Sequence, residues 1–151
     1  MPLSRLWASD ESGSASLEFV TAGLLLLVPL VYLVLALAQV QAGAFATEAA
    51  ARQAARVFVQ GRTMGESMGE AQEAVKFALS DYGLRPDAVD IHVTCSPEPT
   101  DCLRRHGKVT VTVRTAVGLP LAPPVLALDS PLAIPLEASS TEQVSRFRRD
   151  G

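Results

Sequence analysis

Residues 19–40 read FVTAGLLLLVPLVYLVLALAQV, a run of 22 residues without a formally charged side chain. At about 1.5 Å per residue, a helix of this length spans roughly 33 Å, more than the hydrocarbon core of about 30 Å in a typical bilayer. Pro29 lies near the middle of the run, and proline is tolerated in helices within lipid. The run is longer and more uniformly apolar than the core helices of soluble domains. It therefore predicts a transmembrane helix.

The length and composition of the chain limit the size and the function of the part outside this helix. The chain has 151 residues, enough for one membrane segment and one modest domain. Thirteen basic and sixteen acidic side chains give a net charge of −3, which offers no electrostatic basis for binding nucleic acid. Neither of the two histidines has a neighbouring nucleophile, and no glycine-rich phosphate loop is present. We therefore expect a protein that is not an enzyme and that needs no metal or cofactor.

One alternative interpretation of the apolar run is a secretory signal peptide. Ala36, Leu37 and Ala38 form an A-x-A cleavage motif after the apolar stretch. However, the stretch exceeds the usual length of about 7–15 residues for such a segment. The region before it also carries only Arg5 and the amino terminus as positive charge, offset by Asp10 and Glu11. Length and flanking charge both favour a retained membrane helix.

An acidic residue stands at the start of the apolar run. Gly13 is followed by the string SASL and then by Glu18, after which the apolar stretch begins. This order resembles the cleavage region of type IV-like prepilins. In that family a membrane-embedded peptidase cuts after the glycine, and a glutamate stands at the fifth mature position. The resemblance places the cut between Gly13 and Ser14 and makes Glu18 the fifth residue of the mature chain.

The neighbouring sequence narrows this resemblance. The short leader, the string SASLEFV and the alanine-rich continuation resemble TadE-type minor pilins of the tight-adherence (Flp) pilus system, over residues 11–59. Asp10 and Glu11 stand where prepilin leaders commonly carry Lys or Arg, and Pro29 lies further from Glu18 than is common in this family. The resemblance implies a prepilin peptidase, other pilin subunits, the pilus assembly platform and the membrane as partners. It also implies a cytoplasmic amino terminus and an extracytoplasmic carboxy-terminal domain.

The same resemblance implies an assembly role for Glu18. In a pilin-like assembly its carboxylate lies beside the free amine of Ser14, in the same chain or a neighbouring one, because an amine in apolar surroundings favours a paired anion. The alternative is an ordinary carboxylate among lipid headgroups. A charge there costs less than the roughly 2.5–3.5 kcal/mol given for the centre of a transmembrane helix.

The helix is expected to continue beyond the membrane and to end near Gly61, covering residues 16–59. Glu48 and Arg52 are spaced for an ion pair on its polar face. Small residues recur at every fourth position and form one ridge: Ala38, Ala42, Ala46, Ala50 and Ala54. Such a ridge permits close approach of another helix, although the high helix propensity of alanine explains it equally well.

A second helix is predicted after Gly61. Thr63 and Ser67 each stand three residues before a glutamate, which gives two overlapping capping-box signals. Gly83 is a suitable carboxy-terminal stop. The apolar residues between these points recur at helical spacing: Ala71, Ala74, Val75, Ala78 and Leu79.

Alternating residues then predict strands. In residues 89–95 apolar side chains alternate with Asp90, His92 and Thr94, and in residues 108–115 valines alternate with threonines and Arg114. Residues 118–131 are proline-rich and irregular. A last strand over residues 132–139 is confined to a sheet edge by Pro135.

These elements predict an α+β fold. A long amino-terminal transmembrane helix continues into a stalk, followed by a small domain of one helix and a short antiparallel sheet. The expected organisation is a leader over residues 1–13, the membrane and stalk helix over 14–60, and an extracytoplasmic domain over 61–151.

Two cysteines, Cys95 and Cys102, lie at the base and in the body of the loop between the predicted strands. If the domain lies outside the membrane, a disulfide closing this loop is the natural interpretation. The alternatives are free thiols, or a zinc site with His92 and His106 as further ligands. The strand pattern argues against zinc, because residues three apart on a strand face opposite sides of the sheet.

We therefore expect a single-span, prepilin-like membrane protein, cut after Gly13, that acts as a minor pilin or assembly protein of a tight-adherence pilus. The alternatives are a soluble domain released after Ala38, and a membrane-anchored cell-envelope protein that is never processed.

Overall fold

The fold is known from a computed structural model, which describes residues 11–84, 89–118 and 133–148, with side chains from Ala15 onward. It contains two helices, α1 (Glu11–Phe58) and α2 (Met64–Ser80), followed by three strands, β1 (Asp90–Ser96), β2 (Lys108–Gly118) and β3 (Ala133–Gln143). The predicted α+β class, with one long amino-terminal helix, a second helix and a small antiparallel sheet, is confirmed.

The chain divides into two compact units, Met1–Leu37 and Ala38–Gly151. Their boundary lies inside α1, whereas the sequence places the start of the carboxy-terminal domain at residue 61. Residues of α1 from Ala46 to Phe58 belong to the core of the second unit. The carboxy-terminal part of α1 therefore belongs to the second unit.

Helix α1 is continuous over 48 residues and includes Pro29. The predicted bounds, residues 16–59, differ from the observed ones by a few residues, as is usual for helix ends. Its carboxy-terminal half carries the predicted ion pair between Arg52 and Glu48 on the exposed face.

Helix α2 begins and ends at signals that the sequence contains. The Thr63 hydroxyl accepts a hydrogen bond from the Glu66 amide at 3.2 Å, and the Glu66 carboxylate accepts one from the Arg62 amide at 3.1 Å. At the other end, Gly83 has φ +68° and the Leu84 amide donates to the Leu79 carbonyl at 3.1 Å. Both features satisfy backbone groups that a helix end leaves unpaired.

The second capping signal, at Ser67, is wrong. Ser67 lies inside α2 and is fully buried, and its hydroxyl has no hydrogen-bond partner in the described part of the chain. It packs so closely against Gly61 that a Cβ at position 61 would overlap its side chain. Thr63 is the N-cap residue of α2 instead, because it directly precedes the first helical residue, Met64.

The three strands form one antiparallel sheet in the order β1-β2-β3. Val93 pairs with Val111 between the first two strands, and Val113 pairs with Ala138 between the last two. Strand β3 is an edge strand that contains Pro135, as predicted, but it continues to Gln143 instead of ending at residue 139. The predicted irregular stretch and Leu132 lie largely outside the described residues.

One face of the sheet packs with both helices in a single core. Fully buried members include Ala50 and Phe58 from α1, Val75 and Leu79 from α2, and Val111 from β2. Burial alternates strictly along β2, so the other face of the sheet is solvated. The α1 side of this core is built mainly from alanine, which lets the helix lie close to its neighbours.

Candidate functional site

The amino-terminal half of α1 exposes apolar side chains along its length. The Leu, Val and Phe side chains from residue 17 to residue 37 are all exposed, from 46% at Leu35 to 80% at Phe19. This helix is long and apolar enough to cross a membrane. Exposed apolar area of this extent is unfavourable in water and is typical of a surface that lipid or another protein covers.

Glu18 lies on α1 immediately before the apolar run, and its side chain is exposed. It has no ion-pair partner among the side chains that the structure describes, which begin one residue after Ser14. The carboxylate is thus accessible at the amino-terminal end of the apolar surface.

Gly13 and Ser14 lie within the first turn of α1, and the side chain of Ser14 is outside the described set. The rest of the predicted leader, residues 1–10, lies outside the described residues altogether. The spacing of Gly13 and Glu18, five residues apart, is therefore a property of the sequence.

The alanine ridge divides into two parts. Ala46, Ala50 and Ala54 are fully buried, whereas Ala38 and Ala42 are exposed. The buried part packs inside the core of the Ala38–Gly151 unit. The exposed part leaves two small residues on the helix surface, next to the end of the apolar run.

Gly43 is a position that the sequence analysis missed. It is buried in α1, and a Cβ placed on it would overlap the Cγ2 atom of Val117 and lie 3.0 Å from Cδ1 of Leu136. The β2–β3 hairpin thus approaches α1 directly at this point. An isolated glycine in an alanine-rich helix is the sequence signal that indicates such an approach.

Arg148 joins the end of the chain to the end of α1. Its guanidinium donates to the carbonyl oxygens of Val59 at 3.2 Å, Gly61 at 2.5 Å and Arg62 at 3.0 Å. These carbonyls lie in the connection between α1 and α2, where helix geometry leaves acceptors unpaired. Nearby in the chain, the Val144 amide donates a hydrogen bond to the Gly107 carbonyl at 2.8 Å, which joins the end of β3 to the residue before β2.

Cys95 and Cys102 form a disulfide, as predicted, with their Cα atoms 5.0 Å apart. The bond closes the loop between β1 and β2, and Cys102 is buried against the core. His92 is exposed on the outer face of β1, while Cys95 faces inward. Within the described residues, no group of three or more His, Cys, Asp or Glu side chains is placed to hold a metal ion.

The outer face of the sheet carries a small charged cluster. Arg114 Nε donates to the Glu137 carboxylate at 2.8 Å, and the Arg114 guanidinium lies 3.8 Å from the Asp90 carboxylate. The hydrogen bond and the charge of Glu137 raise the pKa of Arg114 above its ordinary value, with a smaller contribution from Asp90. Since arginine is protonated at all physiological pH values in any case, Arg114 acts in this cluster as a permanent positive charge on the solvated face of the sheet.

Comparison of the chain with protein-family models, with curated proteins and with solved structures gave no match.

Proposed function

We propose that this protein is a single-span membrane protein of a tight-adherence pilus, acting as a minor pilin or assembly protein after cleavage between Gly13 and Ser14. The observation that carries the proposal is the uninterrupted helix α1. Its first half exposes a continuous apolar surface, and its second half forms part of a folded domain. A cleavage site placed before such a helix leaves the membrane segment on the mature protein.

The position of Glu18 supports the same function. A free amine created at Ser14 would lie four residues before this exposed carboxylate, about one helical turn away. In apolar surroundings an amine and a carboxylate stabilise each other, because each alone carries a large desolvation cost. The pair can form within one chain or between neighbouring subunits, and the second arrangement makes Glu18 an assembly contact.

The disulfide supports the proposed location of the domain. Disulfides persist in oxidising compartments such as the periplasm and the cell exterior. An extracytoplasmic Ala38–Gly151 unit, with the amino terminus in the cytoplasm, is consistent with the bond between Cys95 and Cys102.

One observation favours a second candidate, the soluble domain released after Ala38. The boundary between the two compact units falls between Leu37 and Ala38, so this cut would remove one residue from the second unit and leave its core intact. The two candidates differ in the fate of the apolar helix, which only the pilin keeps.

Processing of single-site variants separates these candidates. Gly13→Leu fills the position next to the proposed cut with a large side chain and should leave the leader attached. Ala38→Leu is the matched control, since it alters the A-x-A motif within the same helix and should not change maturation. Both are followed by the size of the chain in the membrane and soluble fractions of cells that express the prepilin peptidase. Normal maturation of Gly13→Leu together with blocked maturation of Ala38→Leu contradicts the pilin proposal and supports release of a soluble domain.

A further inference from the structure

A groove lies between α1 and α2 on the surface of the Ala38–Gly151 unit. Its volume is about 560 Å³, within the range of roughly 300–1,000 Å³ that is usual for binding clefts. Phe77, which is 70% exposed, and Tyr82, which is 51% exposed, stand at its edge. Its floor consists of half-buried alanines: Ala49 of α1, and Ala74 and Ala78 of α2. We call this feature the α1–α2 groove.

The charged side chains that line the α1–α2 groove are acidic. Glu73 and Asp81 line it, and no basic side chain of the described residues does. Glu73 is paired with Lys76 at 2.9 Å, whereas Asp81 forms no ion pair with any side chain that the structure describes. An apolar floor, aromatic edges and an unpaired carboxylate together fit an aromatic ring that carries a cation beside it.

Such a ring and cation lie together near the carboxy terminus of the same unit. Phe147 is 77% exposed, and the Arg146 guanidinium lies 4.6 Å from the centroid of its ring. The turn that carries them is held on both sides, since the Phe147 amide donates to Oγ of Ser145 at 3.2 Å and Arg148 donates to carbonyls of the α1–α2 connection. Arg146 has no carboxylate partner within residues 11–84, 89–118 and 133–148. We call Arg146 and Phe147 the carboxy-terminal tip.

The tip and the groove do not meet within one chain. Arg148 fixes the tip beside the carbonyls of Val59, Gly61 and Arg62. The α1 residues of the groove, Ala49 and Gln53, lie six to ten residues before Val59, about 9–15 Å along the helix. Each copy of the unit therefore presents both surfaces to another molecule.

A face-to-face contact between two α1–α2 grooves is electrostatically unfavourable. If two α2 helices cross antiparallel at Phe77, Glu73 of each copy lies opposite Asp81 of the other, because both acids are four residues from Phe77. Like charges that face each other across an interface disfavour that arrangement. The tip carries the opposite charge, so charge complementarity selects a contact between the tip of one copy and the groove of another.

We propose that the carboxy-terminal tip of one copy docks in the α1–α2 groove of a second copy, with the Phe147 ring on the alanine floor and Arg146 paired with Asp81. Aromatic and arginine side chains are enriched in protein interfaces, and a turn that is already ordered loses little freedom on binding. Because the two surfaces differ, the contact is head-to-tail and repeats from copy to copy, giving a ring or an open filament. It uses only the Ala38–Gly151 unit, so it is independent of cleavage at Gly13.

Photocrosslinking from the tip tests this contact. The full chain in mild detergent carries Phe147→p-benzoylphenylalanine, which keeps an aromatic ring at that position, and it is mixed with an isotopically heavy full chain without the probe. The matched control carries the same probe at Phe45, another exposed phenylalanine of this unit, which does not line the groove. After irradiation, mass spectrometry locates the crosslinks between light and heavy chains.

Crosslinks from position 147 should join light to heavy chains at residues 49–53 and 73–82, several-fold more often than crosslinks from position 45. No crosslink between light and heavy chains from position 147 overturns the proposal, as do crosslinks that map only to residues 19–40, where the apolar helices associate. Equal yields from positions 45 and 147 at the same residues also overturn it, since random collision then explains them.

Charge reversal provides a second measurement that does not depend on the ring. Arg146→Asp in the chain with the probe, or Asp81→Arg in the heavy chain, should each reduce the crosslink yield several-fold. The two variants mixed together should recover most of the yield, because the pair is restored with its charges exchanged. Glu70→Arg in the heavy chain is the control, since Glu70 is an exposed acid of α2 outside the groove. Loss without recovery in the mixed pair, or equal loss with Glu70→Arg, contradicts the pairing of Arg146 with Asp81.

Discussion

Gly43 of α1 and Val117 of β2 are in direct contact, with no space for a side chain at position 43. This contact joins the helix to the hairpin three residues after the apolar run ends. Only glycine allows the backbone of α1 to lie this close to the sheet. The position of the hairpin relative to the start of the second unit therefore depends on one missing Cβ.

Gly43→Ala should destabilise the Ala38–Gly151 unit. The added methyl group must displace Val117, whose β-branched side chain has little rotational freedom, and such crowding costs about 1–3 kcal/mol. The better helix propensity of alanine returns about 1 kcal/mol, so we expect a net loss of up to about 2 kcal/mol. Thermal unfolding of the full chain in mild detergent, followed by circular dichroism, measures it.

Gly69→Ala is the matched control for this substitution. Gly69 lies inside α2 and a Cβ there meets nothing within 4 Å, so this change should raise stability by up to about 1 kcal/mol. Val117→Ala should reduce the loss caused by Gly43→Ala, because it removes the clashing methyl group. If Gly43→Ala stabilises the protein as much as Gly69→Ala does, the close approach is absent.

Arg148→Ala should lower the free energy of unfolding by about 1–2 kcal/mol, because three carbonyl acceptors lose a charged donor at a partly buried position. The stability of Arg148→Lys should lie between that of the unchanged protein and that of Arg148→Ala, since one ammonium group cannot reproduce the planar fork of the guanidinium. Denaturant unfolding of the full chain in mild detergent gives both values.

Arg146→Ala provides the comparison for Arg148. The Arg146 guanidinium lies 4.6 Å from the ring centroid of Phe147, which is itself exposed, and such a contact contributes at most about 1 kcal/mol. Equal stability of Arg146→Ala and Arg148→Ala would show that the carboxy-terminal contacts do not hold the α1–α2 connection.

Local signals in the sequence were sufficient for most of the fold. The apolar run identified α1, Thr63 and Gly83 identified the ends of α2, and the alternating valines identified β2. Pro135 correctly placed β3 at an edge. Each of these signals lies within a few residues of the feature that it predicts.

The features that the sequence did not predict depend on contacts between distant residues, or on residues with a weak preference for strands or for the core. The second half of β3 places Ser140 and Glu142 on its inner face, so no apolar alternation marks it. Arg148 contacts residues 86 to 89 positions earlier in the chain, and no local pattern encodes such a pairing. The buried face of α1 is largely alanine, which fills helix surfaces as readily as cores, so the sequence did not show which alanines are buried.

The disulfide should contribute about 2–3 kcal/mol to stability, by the loop-entropy estimate for so short a loop. The paired variant Cys95→Ser with Cys102→Ser should show this loss, and reduction of the unchanged protein should reproduce it. Thiol labelling of the unreduced, unfolded chain should modify neither cysteine. Labelling of both cysteines in protein isolated from the cell envelope would contradict the bond.

Glu18→Gln should separate cleavage from assembly. The change keeps the size of the side chain but removes the charge that would pair with the Ser14 amine, and the amine exists only after cleavage. We expect normal maturation and normal membrane insertion, with pili absent or sparse by electron microscopy. Glu48→Gln is the control, since Glu48 is an exposed acid on the same helix that already pairs with Arg52. Normal piliation and partner capture in the Glu18→Gln strain would make Glu18 an ordinary surface carboxylate.

The mass of the mature protein tests the central claim most directly, because each candidate function leaves a different amino terminus. Intact-mass measurement of the chain purified from both the membrane and the soluble fractions of cells with an active prepilin peptidase should give a protein that begins at Ser14. A chain that begins at Gln39 would show release by signal peptidase, and one that retains Met1 or Pro2 would show an unprocessed anchor. Either of these results would contradict the pilin account.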